Sequence, residues 1–264
     1  YNFDTKPVQL RYLIELSLLC DKEVISMRRR KNRRLLILQV SAFAICAAAL
    51  LKMPSPASAD PVVKSVKATL KNPSVENSRY LILVNKNNKL PDDYSVNLKT
   101  LNNGYSQVDE SIYGALKEML TDGTNKGLDF CVASAYRSTS RQEEILNSDI
   151  DDYMSQGMDY EEAYNEATRQ VMPPGYSEHE TGLALDIVAA DYQLLDEAQE
   201  STEENKWLRE NCWKYGFILR YPKDKEDITQ IDYESWHFRY VGTEAAEYIM
   251  KNNITLEEYI ENFS

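Results

Sequence analysis

The chain of 264 residues holds only two histidines, His179 and His237, and each sits among groups able to do acid–base or metal chemistry. His179 belongs to Ser177-Glu178-His179-Glu180-Thr181-Gly182-Leu183-Ala184-Leu185-Asp186, so a carboxylate stands seven residues beyond it. His237 ends Glu234-Ser235-Trp236-His237, three residues after another carboxylate. A hydrolytic zinc centre takes three nitrogen or carboxylate-oxygen ligands at about 2.0–2.2 Å and keeps a fourth position for water. His179, Asp186 and His237 make such a set, two imidazoles and one carboxylate, and Zn²⁺ is the cofactor it suits. The four cysteines, at 20, 46, 131 and 212, show no paired spacing and support neither a thiolate zinc knuckle nor a disulfide scaffold.

Glu234 is the candidate general base, because a carboxylate beside a metal centre can accept a proton from water and deliver it to a leaving amine. In an extended strand residues 234 and 237 point to opposite faces, so the pairing requires a bend or loop, expected before Trp236. Taken alone, these residues leave a second reading open: a packed histidine with solvated acids nearby.

The elements that must bring these residues together can be read from pattern. Residues 79–85 are short, apolar and β-prone and read as a strand, with a turn at 86–89. Val108, Ile112, Leu116 and Leu120 recur at helical spacing and define a helix over 108–121. Further strands are expected at 128–134, 183–188, 217–221 and 236–241, and further helices at 139–147, 160–171, 203–215, 243–252 and 255–262. The apolar continuity of 183–188 implies burial on both faces. Thr255 and Glu258 have the spacing of a capping box. The expected fold is α+β, a small antiparallel sheet flanked by helices, forming a single domain over residues 79–264.

Upstream, Arg28-Arg29-Arg30-Lys31-Asn32-Arg33-Arg34 precedes an apolar run from Leu35 to Leu51, and Ala57-x-Ala59 supplies small residues for a signal peptidase. Residues 27–59 therefore read as a signal peptide or, uncleaved, a membrane anchor through 35–51, and either form exports the chain beyond residue 59. Residues 1–26 read as an upstream extension before a start at Met27, or as a cytoplasmic tail, and the polar, proline-marked 60–78 as a linker. The net charge of −12 excludes a nucleic-acid-binding surface. Cys131 and Cys212, in Phe130-Cys131-Val132 and Cys212-Trp213, read as buried apolar thiols.

The run Ser177-x-His179-x-x-Gly182-x-Ala184-x-Asp186, with Glu234-x-Trp236-His237 downstream, resembles the VanY-type D-alanyl-D-alanine carboxypeptidases, zinc peptidases whose wider class includes L,D-carboxypeptidases. Leu83-Val84-Asn85-Lys86, Ser134-Ala135-Tyr136-Arg137-Ser138 with Gln142, Gly216-Phe217-x-x-Arg220-Tyr221-Pro222 and Trp236-His237-Phe238-Arg239-Tyr240-Val241-Gly242 look like the family's pattern in the family's order. The resemblance implies metal ligands His179, Asp186 and His237, the base Glu234, and Arg137 as the group that steadies the tetrahedral oxyanion. It places Ser177, Gln142, Tyr136 and Trp236 at the substrate. Ala135 and Ser235 depart from the pattern, as do Asp224 and Gln230, which replace frequent glycines and put the geometry of 223–235 in question. The implied activity is zinc-dependent removal of the terminal D-Ala from peptidoglycan stem peptides. An L,D-carboxypeptidase or endopeptidase is the rival within the class, and a silent wall-binding module the rival outside it.

Overall fold

Among residues 79–263, which the computed structural model of the protein describes, the chain forms two antiparallel sheets. The readings for 1–26, 27–59 and 60–78 lie outside the described residues. The smaller sheet is a hairpin of β1 (Leu98–Thr100) and β2 (Gln107–Asp109). The larger contains β3 (Phe130–Ser134), β4 (Ala184–Ala189), β5 (Phe217–Tyr221) and β6 (Glu234–Tyr240), in the order β3-β4-β6-β5 with all neighbours antiparallel. Helices α1 (Tyr113–Thr124), α2 (Thr139–Ser155), α3 (Tyr160–Ala167), α4 (Glu203–Asn211), α5 (Glu226–Thr229), α6 (Thr243–Asn252) and α7 (Leu256–Phe263) join and flank the strands.

Burial explains the arrangement. Every residue of β4 is buried, as a run that is apolar apart from Asp186 requires of a strand with neighbours on both edges. Leu185 and Ile187 share a core with Ile112, Leu116 and Met119 before and within α1, with Leu208 of α4, and with Phe217 of β5 and Phe238 of β6. A second cluster, Leu146, Ile150, Ala163, Ala167 and Val171, joins α2 to α3. No helix of the described residues is long and apolar enough to cross a membrane.

The segment 79–85 corrects the strand expected there. Arg79–Leu81 is a 3₁₀ turn, and only Asn85 pairs, in a single bridge to Asn88 that closes the expected turn. The reason is a side chain: Arg239 donates to the carbonyls of Tyr80 and Ile82, at 3.0 and 2.8 Å, and takes acceptors that a sheet would use. The helix expected from 108 begins only at Tyr113. Val108 pairs with Lys99 in the hairpin, and Asp109 caps an intervening 3₁₀ turn by accepting from Ser111 N. Helix α2 runs on to Ser155, because Ile150 continues the stripe of Leu146 against α3. The expected helix 160–171 stops at Ala167, and that expected to 215 passes at Cys212 into a 3₁₀ turn closed by Gly216. The capping box forms, with Thr255 N donating to Glu258 and Glu258 N to Thr255 Oγ1. Cys212 is fully buried, and burial pushes its thiol up to about 12. Cys131 is only half-buried, because it lies on the outer edge strand β3; neither thiol is in a disulfide.

Candidate metal centre

The register of the central strands assembles the site. Asp186 of β4 lies directly opposite His237 of β6 and, on its other side, opposite Ser134 of β3. Cross-strand neighbours bring their Cβ atoms to about 4.5–5.5 Å, so sheet pairing alone sets the carboxylate beside the imidazole. His179 arrives from the 3₁₀ turn Glu178–Thr181, which Gly182 closes in the left-handed region at φ 72° before β4 begins. The ring of His179 is held from behind: Nδ1 lies 2.7 Å from the carbonyl of Ala135, the only role open to that nitrogen there being donor. Nε2 is left with its lone pair towards Asp186 Oδ2, 3.4 Å away.

His237 presents Nδ1 to the same point, 3.2 Å from Asp186 Oδ1. One ligand atom from each of the three buried residues lies within 4.8 Å of the others. Tetrahedral ligands at about 2.0–2.1 Å stand about 3.3 Å apart, and each imidazole lies at about that distance from one of the two Asp186 oxygens. Asp186 Oδ1 is buried with no hydrogen-bond partner, a costly state that a cation relieves. The residues present therefore fit zinc.

Electrostatics agree. Burial, with the nearby Arg137 guanidinium, brings His179 down to about 4 and keeps it a neutral donor of electrons. Burial opposes ionisation of Asp186, but the two histidines outweigh it and hold the carboxyl well below its usual range. Burial also opposes charge on His237, yet Asp186 and Glu178 raise it to about 9.

Glu234 Oε2 lies 3.5 Å from His237 Nδ1, on the metal side. The bend or loop expected before Trp236 is not a loop, since β6 begins at Glu234 itself. A bulge replaces it: between Leu219 and Tyr221 β5 advances two residues while β6, from Phe238 to Glu234, spans four. Bulges re-aim side chains beside functional sites, and a second register shift lies across the site between Val132 and Ser134.

Arg137 is seated on three sides, donating from Nε to Ser134 Oγ at 3.0 Å, from one terminal nitrogen to Gln142 Oε1 at 3.1 Å, and from the other to Asp186 Oδ2 at 3.1 Å. Gln142 is fully buried, and its amide nitrogen donates to the Met172 carbonyl at 2.6 Å. Both ends of Gln142 are thus engaged by the protein, and its amide oxygen supports Arg137. Ser177 is buried at the head of the His179 turn, Tyr136 is half-buried in the loop carrying Arg137, and Trp236 is buried next to His237 in β6. Glu180 ties its turn to Gly175 and to the start of α2, accepting from Gly175 N and from Thr139 Oγ1, both at 2.7 Å.

Sequence reasoning passed over Glu178, Arg220 and Arg239. All three are fully buried, and Glu178 Oε1 accepts from Arg220 at 2.8 Å and from Arg239 at 2.7 Å. The signal was available: a lone arginine inside each of the apolar strands Phe217-Ile218-Leu219-Arg220-Tyr221 and Trp236-His237-Phe238-Arg239-Tyr240 has to find a carboxylate.

A buried two-histidine, one-aspartate centre on a small antiparallel sheet, with a carboxylate and an arginine beside it, defines a metal-dependent peptide hydrolase. The family model of VanY, D-alanyl-D-alanine carboxypeptidase, matches residues 105–243, and the chain belongs to this family of zinc metallocarboxypeptidases. The chain is 40% identical over 193 residues to a D-alanyl-D-alanine carboxypeptidase of Enterococcus faecalis, covering 73% of this chain and 70% of the relative. A solved structure of the vancomycin-resistance D,D-pentapeptidase VanY in complex with Zn(II) aligns with TM-score 0.63 and 40% identity, over 69% of this chain and 99% of that one. The structure of the LD-carboxypeptidase LdcB aligns with TM-score 0.59 and 37% identity, over 72% and 89%.

Proposed function

We propose that the protein removes the terminal D-Ala from peptidoglycan stem peptides, with His179, Asp186 and His237 holding its zinc. The observation that carries the site assignment is the convergence of these three side chains with Glu234 and Arg137 already beside them. Zinc, when bound, supplies a Lewis acid that acidifies water and polarises a carbonyl. The chain's own residues do the rest. Glu234 takes the proton of the water whose oxygen bonds to the carbonyl carbon of the penultimate residue. The tetrahedral oxyanion develops towards the Arg137 guanidinium, which Ser134 and Gln142 fix in place and which needs no reorganisation as charge builds. The C–N bond then breaks, and Glu234 hands its proton to the departing amine of D-Ala. Ser177, in the turn before His179, and Tyr136, beside Arg137 in the chain, are proposed to position the stem peptide, together with Trp236 of β6.

The basic and apolar runs at 28–51 support action outside the cytoplasmic membrane, with 27–59 as signal or anchor, 60–78 as linker and 79–264 as the peptidase domain. The identity to LdcB favours one alternative, cleavage of an L,D bond in the tetrapeptide. Mass spectrometry of pentapeptide and tetrapeptide stems decides: loss of one Ala from the pentapeptide alone supports the D,D reading, and loss from the tetrapeptide replaces it. Glu234→Gln should keep stoichiometric zinc and lose about 10²–10⁴-fold in D-Ala release; turnover at the wild-type rate would remove Glu234 from its role.

A further inference from the structure

Behind the metal-facing nitrogen of His237 lies a polar contact that neither the ligand set nor the base explains. Nε2 of His237 is buried without a hydrogen-bond partner, and Glu178 Oε2 is buried without one too. The two atoms face each other at 3.6 Å. Both residues are shut off from solvent, so water cannot satisfy either atom. Were both to present lone pairs, carboxylate and ring nitrogen would repel at close range in a medium of low dielectric. A proton on Nε2 turns that repulsion into a charge-assisted hydrogen bond once the ring settles by a few tenths of an ångström.

We propose that Glu178 is the positioning residue of the metal centre: it accepts the Nε2–H of His237 and so fixes the tautomer that leaves Nδ1 free for zinc. The inference rests on His237 being a zinc ligand, as proposed above. The Ala135 carbonyl does the same for His179 from the opposite side, leaving Nε2 as its ligand atom. The two histidines are thus held in opposite tautomers by two different acceptors.

Glu178 is unable to turn away from this duty. Its Oε1 accepts from Arg220 Nε and Arg239, and the remaining donors of those guanidiniums are engaged by Glu257 and by the carbonyls of Tyr80, Ile82 and Tyr240. The arginines also dictate what an amide would do in its place. In Glu178→Gln the amide oxygen must stay at the two guanidiniums, because an NH₂ there would meet positive charge. The NH₂ is then forced towards His237 Nε2, where it demands a lone pair and so moves the ring proton to Nδ1. The substitution thus selects the tautomer that is unable to bind metal through Nδ1.

The test uses the full-length, ¹⁵N-labelled chain loaded with zinc. With only two histidines in the sequence, the imidazole region of a long-range ¹H–¹⁵N spectrum assigns itself by comparison with the Glu178→Gln variant. One ring should be metal-bound at Nε2 with a proton on Nδ1, and the other metal-bound at Nδ1 with a slowly exchanging Nε2–H. Glu178→Gln should lose that Nε2–H signal and weaken zinc binding by about 10–100-fold in a chelator competition. Glu257→Gln, which loosens the same arginine cluster without touching His237, should stay within about 2-fold of wild type. Two rings both bound through Nε2, or a Glu178→Gln variant with wild-type affinity, would overturn the proposal. If Glu178→Gln does not fold, the wild-type spectrum decides, with rings assigned from single histidine substitutions. Wild-type protein that binds no zinc sinks the proposed function, a result distinct from either of these.

Discussion

Asp186 illustrates how few atoms the centre needs. Its Oδ2 is 3.1 Å from Arg137 and 3.4 Å from His179, while Oδ1 faces His237 at 3.2 Å with no hydrogen bond of its own. Arg137 offsets part of the charge at this point, and a metal ion competes with a proton on His237 for the rest. Without the ion, His237 stands at about 9, since Asp186 and Glu178 overcome the effect of burial, whereas burial and Arg137 bring His179 to about 4. At pH 7 the histidine pair therefore carries one positive charge, on His237, whose Nδ1 proton zinc must expel. Apparent zinc affinity should rise about tenfold per pH unit between about pH 6 and 8 and level off above about 9, since binding then no longer has to displace a proton. A chelator competition across that range checks it, and a flat profile would show that the site is already deprotonated. Gln142 carries a different lesson at this scale. Its sequence neighbours marked it as part of the site, and its two bonds, to Arg137 and to the Met172 carbonyl, tie the arginine to the loop after α3.

At the scale of elements, the turn that delivers His179 depends on one residue without a side chain. Gly182 has φ 72°, and a Cβ there would lie 2.9 Å from both Asp109 N and Val96 Cγ2. The backbone neighbour is unable to give way, because Asp109 N already donates to the Gly182 carbonyl at 2.9 Å. Gly182→Ala should cost at least about 1–2 kcal/mol from the left-handed conformation alone, and should weaken zinc binding because the turn and β4 move apart. Thermal unfolding with and without zinc measures both effects; a variant as stable as wild type would mean the turn relaxes freely. The loop before Glu234 solves a similar problem differently. Asp224 and Gln230 both adopt positive φ, 63° and 60°, so the backbone of a glycine-bearing loop is kept without the glycines. Gln230 N closes α5 on Glu226 O at 2.7 Å, which offsets some of the strain.

Across the whole domain, one buried charge cluster ties distant parts to the centre. Glu178 before β4 binds Arg220 of β5 and Arg239 of β6; Arg220 binds Glu257 of α7, and Glu257 accepts from Asn85 at 3.1 Å. Charges taken out of water contribute little as intact pairs but cost much when broken. Arg239→Met should destabilise the domain by about 3–5 kcal/mol in denaturant unfolding, since it strips Glu178 of a partner and the carbonyls of Tyr80 and Ile82 of their donor. A loss under about 1 kcal/mol would show that water reaches the cluster.

Much of this was visible in residue order. The strand Phe217–Tyr221 and the helix Thr243–Asn252 fall where their patterns put them, because each is bounded by strong local signals. The scarcity of histidine narrowed the candidates to His179 and His237, and the family resemblance implied their role with Asp186 and Glu234. What could not be read there was anything decided by atoms far apart in the chain. The 79–85 segment gave up strand pairing to a guanidinium from residue 239, Glu234 reached His237 through a bulge in the pairing of β6 with β5, and the proposed tautomers of two histidines depend on acceptors 44 and 59 residues away, Ala135 and Glu178. Local side-chain chemistry names the atoms able to bind an ion; only the packing of strands against one another sets the direction in which each lone pair points.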